Sequence, residues 1–284
     1  MDHLKIFINL TRLNKPIGYM LLFWPCSWGL AYAHKTANEL NIFLYYLFLF
    51  FLGSILMRSA GCIVNDIIDQ DLDKKVKRTK NRPLASGDIS NTRAIIYSAL
   101  LCFISFFILI QFNFKTIFLG LSSMILAFTY PFMKRFTYWP QLFLGLTFNW
   151  GMIMAYTAIL DQISIEIMVL YISAIFWTLG YDTIYGVQDV ADDEIIGVKS
   201  TAIKFKKNIK LFVSICYLIS SLLIIITFAD SIKINFSTLF MIMFILSLIY
   251  QLKIFNKDNP NTCLKAFKIN NFSGIFLLAS ILMS

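Results

Sequence analysis

Long apolar runs separated by short polar segments extend along the whole chain. Nine of them approach or exceed the roughly 18 residues that cross a bilayer as a helix. The alternation of apolar and polar residues that marks the strands of a membrane barrel is absent. The predicted spans cover residues 17–34, 42–64, 94–111, 115–132, 140–160, 164–187, 210–228, 235–252 and 267–283. The pattern therefore predicts an all-α, polytopic membrane protein with about nine transmembrane helices.

Composition and charge agree with a membrane location. Hydrophobic residues make up 58% of the chain and charged residues 14%, whereas a soluble domain carries about 25% charged residues. The net charge of +9 does not indicate nucleic-acid binding, because most of the 25 Lys and Arg residues lie in alternate polar segments. Such an asymmetry predicts that these segments face the cytoplasm. The five cysteines lack the spacing of a zinc site or a disulfide framework.

The longest polar segments, 65–93 and 189–209, both fall on this cytoplasmic side. No linker rich in Gly, Ser or Pro interrupts the chain, so we expect a single domain over residues 1–284. In that domain the two polar segments would form a cap over a site. The connections on the opposite side are short, which leaves the cytoplasmic face as the place for chemistry.

The first polar segment begins with an acidic cluster, Asn65–Asp73. On an ideal helix, Asn65, Asp66, Asp69 and Asp73 lie within about 100° of one another. Asp71 points away from them and is interpreted as a surface residue. Four oxygen-bearing side chains on one helix face are the ligands that Mg²⁺ prefers.

A second acidic stripe precedes the second polar segment. Asp182, Asp189 and Asp193 lie within a sector about 40° wide on an ideal helix, whereas Asp192 and Glu194 lie off it. Two aligned clusters predict opposed walls that hold Mg²⁺ against a phosphate-bearing substrate. The alternative is a solvated, charged helix end. Asp182 lies deeper in the sixth span, which suggests a supporting role.

Basic residues near these walls allow two interpretations. Arg78, Arg82 and Lys199 are either diphosphate ligands or charges that set the topology. Arg58, within a span, is either functional or paired with Asp182. Lys134 and Arg135 end the fourth span; we assign Lys134 to diphosphate. Arg135 is assigned to an acceptor carboxylate or to diphosphate, because a guanidinium matches a planar carboxylate.

Several segments together resemble the UbiA family of intramembrane prenyltransferases. They are Arg12–Gly18 with Trp24 and Pro25, Met57–Asp66, Asn81–Gly87, Tyr130–Arg135, Gly180–Tyr185, the acids at 189, 192 and 193, and Gly197–Ala202. Segments 81–87, 130–135 and 181–185 are most similar to members that prenylate 4-hydroxybenzoate in ubiquinone biosynthesis. One departure is Gln70, where many relatives have Arg; its phosphate contact would then be absent or supplied by Lys74 or Arg78.

The resemblance implies nine helices around a central cavity open to the cytoplasmic side, two Mg²⁺ ions and a lateral opening for an isoprenoid tail. It implies a catalytic role for Asp66, Asp69, Asp73, Asp189 and Asp193, with Asn65 as a further metal ligand. From the residues themselves, we assign Arg12, Arg58 and Arg135 to the acceptor, and we assign Asp182 and Tyr185 to a supporting role behind the site.

We therefore expect Mg²⁺-dependent transfer of a polyprenyl group from polyprenyl diphosphate to the ring carbon ortho to the phenol of 4-hydroxybenzoate. Dihydroxynaphthoate or haem are alternative acceptors. A transporter fits less well, because transporter sites lie near the bilayer midplane at broken helices. A phosphatidyl-alcohol transferase would need an Asp-Gly pair, which the chain lacks. We expect a bacterial inner-membrane protein with its site facing the cytoplasm, in contact with lipid and without an obligate protein partner.

Overall fold

The protein is helical throughout the part of the chain that the structure, a computed structural model, describes, residues 3–284. Nine of the helices in this range have 19 residues or more. The helices are α1 (His3–Thr11), α2 (Ile17–Ala37), α3 (Leu40–Ile68), α4 (Gln70–Asp73), α5 (Asn91–Leu109), α6 (Phe114–Phe136), α7 (Pro140–Leu160), α8 (Ile165–Gly186), α9 (Val190–Ile196), α10 (Thr201–Lys204), α11 (Ile209–Thr227), α12 (Phe236–Ile254) and α13 (Pro260–Leu282). The predicted fold class is confirmed.

Among the described residues, seven helices are long and apolar enough to cross a membrane. They are α3, α5, α6, α7, the continuous stretch from α8 through α9, α11 and α12. Helices α2 and α13 have the length but are less apolar: α2 carries Trp, Tyr and His side chains, and the first half of α13 carries Asn and Lys. The total of nine spans stays a prediction.

Polar caps set where several long helices begin. Ser90, Asn113, Ser164 and Asn235 each accept a hydrogen bond from the backbone N–H three residues further on. Such a bond satisfies one of the free N–H groups in the first turn of a helix. At the other end, α6 continues through Pro131 to Phe136. The sequence prediction stopped near 132 because it followed the apolar residues alone.

The bundle is closely packed on one side and open on the other. Helix α2 lies against α3, α7 and α13, and α8 lies against α7 and α11. The indole N–H groups of Trp28 and Trp177 donate to the backbone oxygen of Gly274 (3.0 Å) and to Asn270 Oδ1 (2.8 Å), and they tie α2 and α8 to α13. Helices α5 and α6, by contrast, pack mainly on α3 and α7 and touch each other little.

This uneven packing leaves a cavity of about 1350 Å³ inside the bundle. Helices α2, α3, α5, α6, α7, α8 and α13 contribute to its walls, together with segments 72–83 and 188–200. Both polar segments thus border the cavity, as the predicted cap requires.

Candidate active site

Both acidic clusters open into this one cavity. Asn65, Asp69 and Asp73 line it from one wall, and Asp189 and Asp193 line it from the other. Neither cluster lies on a single ideal helix. Helix α3 ends at Ile68 and α4 begins at Gln70, and a 3₁₀ turn over 187–189 separates α8 from α9. Each cluster thus departs from ideal helix geometry at one point, although the acids that line the cavity still face a common space.

Asp66 does not line the cavity directly. Its side chain is 1% exposed, and Oδ1 accepts hydrogen bonds from the guanidinium groups of Arg12 and Arg82, the latter at 3.0 Å. Arg82 also donates to Asp73 at 2.7 Å, so its guanidinium bridges Asp66 and Asp73. Arg12 has a left-handed backbone with φ of 57°. This strained turn after α1 directs its side chain to Asp66.

Asp69 is the most buried acid of the first wall, since its side chain is not exposed to solvent. Lys134, at the end of α6, donates to Oδ2, and a guanidinium nitrogen of Arg135 lies 3.7 Å from Oδ1. Burial raises the pKa of Asp69, and the charge of Lys134 opposes this shift. Arg135 also donates to the backbone oxygen of Ile68 at 2.7 Å and lies outside the cavity lining.

Arg78 connects the first polar segment to the second wall. Its guanidinium makes two hydrogen bonds to the carboxylate of Asp189, at 2.7 and 2.6 Å, and a third to the hydroxyl of Tyr185 at 3.0 Å. The backbone N–H of Lys77 donates to Asp192 at 3.1 Å. Paired bonds of this kind fix direction as well as distance. They tie segment 74–90, part of which lines the cavity, to the second wall.

Deeper in the cavity lie Arg58, Asp182 and Tyr130. Within residues 3–284 Arg58 forms no ion pair; its guanidinium lies over the ring of Phe148, 5.1 Å from the centroid. The Arg58–Asp182 ion pair considered above is therefore not formed, although the two charges are close enough to influence each other. An unpaired Arg at this depth is available to an anionic ligand.

Three further residues identified from the sequence, Lys199, Gln70 and Lys74, lie at the edge of the cavity or outside it. Lys199 lines the cavity and donates to the backbone oxygen of Phe136 at 3.2 Å. The Gln70 amide donates to the backbone oxygen of Leu84 at 2.9 Å, and so anchors segment 74–90 from behind. Lys74 pairs with Asp71 at the surface, outside the cavity lining.

Sequence reasoning assigned no role to three residues that belong to this region. Tyr130 lines the cavity; its spacing of four from Lys134 places both on one helix face and was a usable signal. Lys15 also lines the cavity, and burial followed by the charge of Arg12 lowers its pKa. The Gln141 side chain accepts from the backbone N–H of Thr201 at 3.0 Å, which fixes the second polar segment to α7. Lys15 lies within the Arg12–Gly18 segment noted above, whereas no sequence pattern indicated Gln141.

The donors present fit a hard cation such as Mg²⁺. Asp66 Oδ2 and Asp69 Oδ1 are buried carboxylate oxygens without a hydrogen-bond partner, and such atoms are costly unless a cation meets them. No three acidic, His or Cys side chains in the described chain stand close enough to hold a metal as they are. Instead, Arg12, Arg82, Lys134 and Arg78 hold the acids.

A helical membrane bundle whose acid-lined cavity mouth continues into an apolar interior is the architecture of an intramembrane prenyltransferase. The chain belongs to the UbiA prenyltransferase family, whose family model matches residues 22–275. The resemblance inferred from the motifs is thereby confirmed.

Known proteins resemble the chain along almost its whole length. The 4-hydroxybenzoate octaprenyltransferase of Psychromonas ingrahamii is 39% identical over 280 residues, which cover 98% of this chain and 96% of that protein. The apo structure of a UbiA homologue from Aeropyrum pernix K1 superposes with a TM-score of 0.76 at 23% identity, over 94% of this chain and 98% of that one. A UbiA homologue from Archaeoglobus fulgidus bound to GPP and Mg²⁺ gives a TM-score of 0.70 at 19% identity, over 97% and 99%.

Proposed function

We propose that the protein is a 4-hydroxybenzoate polyprenyltransferase of ubiquinone biosynthesis. It would transfer a polyprenyl group from polyprenyl diphosphate to the ring carbon ortho to the phenol of 4-hydroxybenzoate. The observation that carries the proposal is one cavity bordered by two acidic walls with their cations and continued by an apolar interior. The name of the Psychromonas relative supports the acceptor, and the ligands of the Archaeoglobus homologue support an isoprenoid diphosphate with Mg²⁺.

The two walls would share the metal. Asn65, Asp69 and Asp73 on one side and Asp189 and Asp193 on the other present oxygen atoms to the cavity. Bound Mg²⁺ supplies positive charge where the leaving diphosphate becomes more negative. Asp66, behind the wall, holds Arg12 and Arg82 in place, and its partnerless oxygen gives it a further ligand position.

The cations of the wall would bind the diphosphate. Arg78, Arg82, Lys134 and Lys199 all line the cavity, and the first three already touch the acids. A phosphate oxygen offers each of them an acceptor equivalent to a carboxylate. Of the two residues that could replace an Arg at position 70, Arg78 lines the cavity and Lys74 does not, so we assign this phosphate contact to Arg78.

The acceptor would lie deeper, between the diphosphate and the apolar interior. Arg58 is the cation there that no acid pairs with, and we assign it to the acceptor carboxylate. Arg12 and Arg135 were assigned to the acceptor from the sequence. Because each is bonded to the first wall, we propose instead that they hold this wall in position. Asp182 and Tyr185 line the same region from α8.

The reaction forms a bond between the first carbon of the prenyl group and the ring carbon, and it breaks the bond from that carbon to the diphosphate oxygen. The ring proton then passes to an Asp of the walls or to the released diphosphate, and its loss restores aromaticity. Water would capture the allylic cation, so the site must exclude it. Segment 74–90, held over the mouth by Arg78 and Asp189, performs this exclusion.

We place the protein in a bacterial inner membrane, with nine spans and the site facing the cytoplasm. The Lys and Arg asymmetry of the polar segments supports this orientation. Segments 65–93 and 189–209 would form the cap, lipid would surround the bundle, and no obligate protein partner or nucleic acid is needed. Cysteine labelling at residue 80 and at residue 233, from either side of sealed vesicles, tests the orientation: residue 80 should react from the cytoplasmic side alone.

The activity test uses purified protein with 4-hydroxybenzoate, a polyprenyl diphosphate, and Mg²⁺ or EDTA. We expect ring-prenylated product with Mg²⁺, none with EDTA and none from Asp189→Asn. Product from dihydroxynaphthoate but not from 4-hydroxybenzoate would move the protein to the alternative acceptor class. Full turnover in EDTA would overturn the metal assignment.

A further inference from the structure

The inner part of the cavity changes character along α3. From Asn65 inwards, the face of α3 that lines the cavity carries Gly61, Arg58, Gly53 and Leu49 at successive depths. Arg58 is the innermost charge on this face. At 1.5 Å per residue, the apolar part below it extends about 14 Å to Leu49. Helices α5 and α6 contribute mostly apolar and small side chains at their facing positions, such as Cys102, Leu109 and Met124.

Aromatic rings lie at the far end of this apolar part. Phe112, in the connection between α5 and α6, is 8% exposed. Its ring centroid lies 4.8 Å from that of Phe50 and 5.0 Å from that of Tyr46. Phe50 and Phe112 both line the cavity. The apolar part is thus a channel that extends from Arg58 to these aromatic rings, which form its floor.

Gly53 lies midway along the channel and has no packing role. A Cβ added there would meet no atom within 4 Å, whereas one added at Gly120 on α6 would meet the side chains of Leu109 and Met154. Small residues in membrane helices usually permit close helix contact, and Gly within a helix is otherwise unfavourable relative to Ala. At Gly53 no helix approaches. The missing side chain therefore leaves room for something that the bundle itself does not supply.

We propose that Gly53 determines the length of the isoprenoid tail that the protein accepts. With hydrogen as its side chain, the channel continues past Arg58 to the floor at Phe50 and Phe112, and a long tail can follow it. A larger side chain at this position would block the channel midway. This inference rests on the proposed function, because it assumes an isoprenoid diphosphate bound at the acidic mouth.

The test compares Gly53→Ala, Gly53→Val and Gly53→Leu with the unchanged protein. Binding of geranyl diphosphate and of octaprenyl diphosphate, each with Mg²⁺, is measured by the thermal shift of the purified protein in detergent. This readout needs no acceptor, so it separates failure of this inference from failure of the assigned reaction. Ala99→Leu is the matched control. Ala99 is exposed on α5 and does not line the cavity, so this change introduces the same leucine side chain outside the cavity.

We expect affinity for geranyl diphosphate to stay within about twofold in all variants. Affinity for octaprenyl diphosphate should fall in the order Ala, Val, Leu, by tenfold or more for Leu, while Ala99→Leu changes neither. Gly53→Ala adds one methyl group in open space and strengthens the helix. Its donor affinities can therefore be measured even if the larger variants unfold. An equal loss for both donors, or unchanged octaprenyl binding in the variants that fold, would overturn the proposal.

Discussion

The two acids Asp66 and Asp193 allow stability and chemistry to be separated. Asp66 is 1% exposed and accepts from two guanidinium groups, Arg12 and Arg82, which are themselves about one-fifth exposed. Asp193, on the opposite wall, has no hydrogen bond or ion pair from its carboxylate to any other described residue. We predict that Asp66→Asn destabilises the protein and Asp193→Asn does not, although both lower activity.

The magnitude follows from the bonds that each change removes. A hydrogen bond to a charged group contributes about 1.5–3 kcal/mol, and Asp66 accepts two of them. Asn keeps one oxygen as a neutral acceptor, and Arg82 keeps Asp73 at 2.7 Å. The loss therefore falls mainly on Arg12, and we expect about 2–3 kcal/mol. For Asp193→Asn we expect a change within about 0.5 kcal/mol.

The assay is unfolding in mixed detergent micelles, followed by circular dichroism, beside turnover with Mg²⁺. Asp88→Asn is the control, because Asp88 is exposed in the same polar segment and only accepts from Ser86. Its stability and turnover should equal those of the unchanged protein. Equal stability of Asp66→Asn and the unchanged protein would refute the reasoning, as would a loss in Asp193→Asn matching that of Asp66→Asn.

Three further predictions concern the cations. Arg78→Met should raise KM for the donor at least tenfold, while Lys74→Met, which lies outside the cavity, leaves it unchanged; equal effects would contradict the assignment. Arg58→Met should raise KM for 4-hydroxybenzoate without changing donor binding, measured by steady-state kinetics with each substrate varied. Lys15 loses its proton at lower pH than an ordinary Lys, because burial and the charge of Arg12 lower its pKa. Donor binding, measured as a function of pH, should therefore weaken at alkaline pH, and Lys15→Arg should move that loss to higher pH. If the pH profile of Lys15→Arg matches that of the unchanged protein, Lys15 has no role in donor binding.

The fold class and the location of the site follow from local patterns in the sequence. Apolar runs located the long helices, and the two acidic clusters located both walls of the cavity. The details depended on contacts that no local pattern contains. The helix through Asn65 and Asp73 is interrupted at Asp69, and Arg82, nine residues after Asp73, bonds back to it.

Partner identity was the least predictable feature of the site. Arg58 and Asp182 lie on helices far apart in sequence, and only the packing of the bundle shows that they stay unpaired. Arg78 bonds to Asp189 across 111 residues. The open space beside Gly53 is likewise a property of neighbouring helices, since a glycine in a sequence does not reveal whether a helix packs on it.

The central claim is that both acidic walls together hold one metal-bridged diphosphate. The direct measurement is Mg²⁺-dependent binding of geranyl diphosphate to Asp69→Asn, to Asp189→Asn and to the double variant, by calorimetry of the purified protein. We expect a large loss in each single variant and little further loss in the double variant, because residues that act as a unit are not additive. Undiminished binding in either single variant, or independent and additive losses, would contradict it.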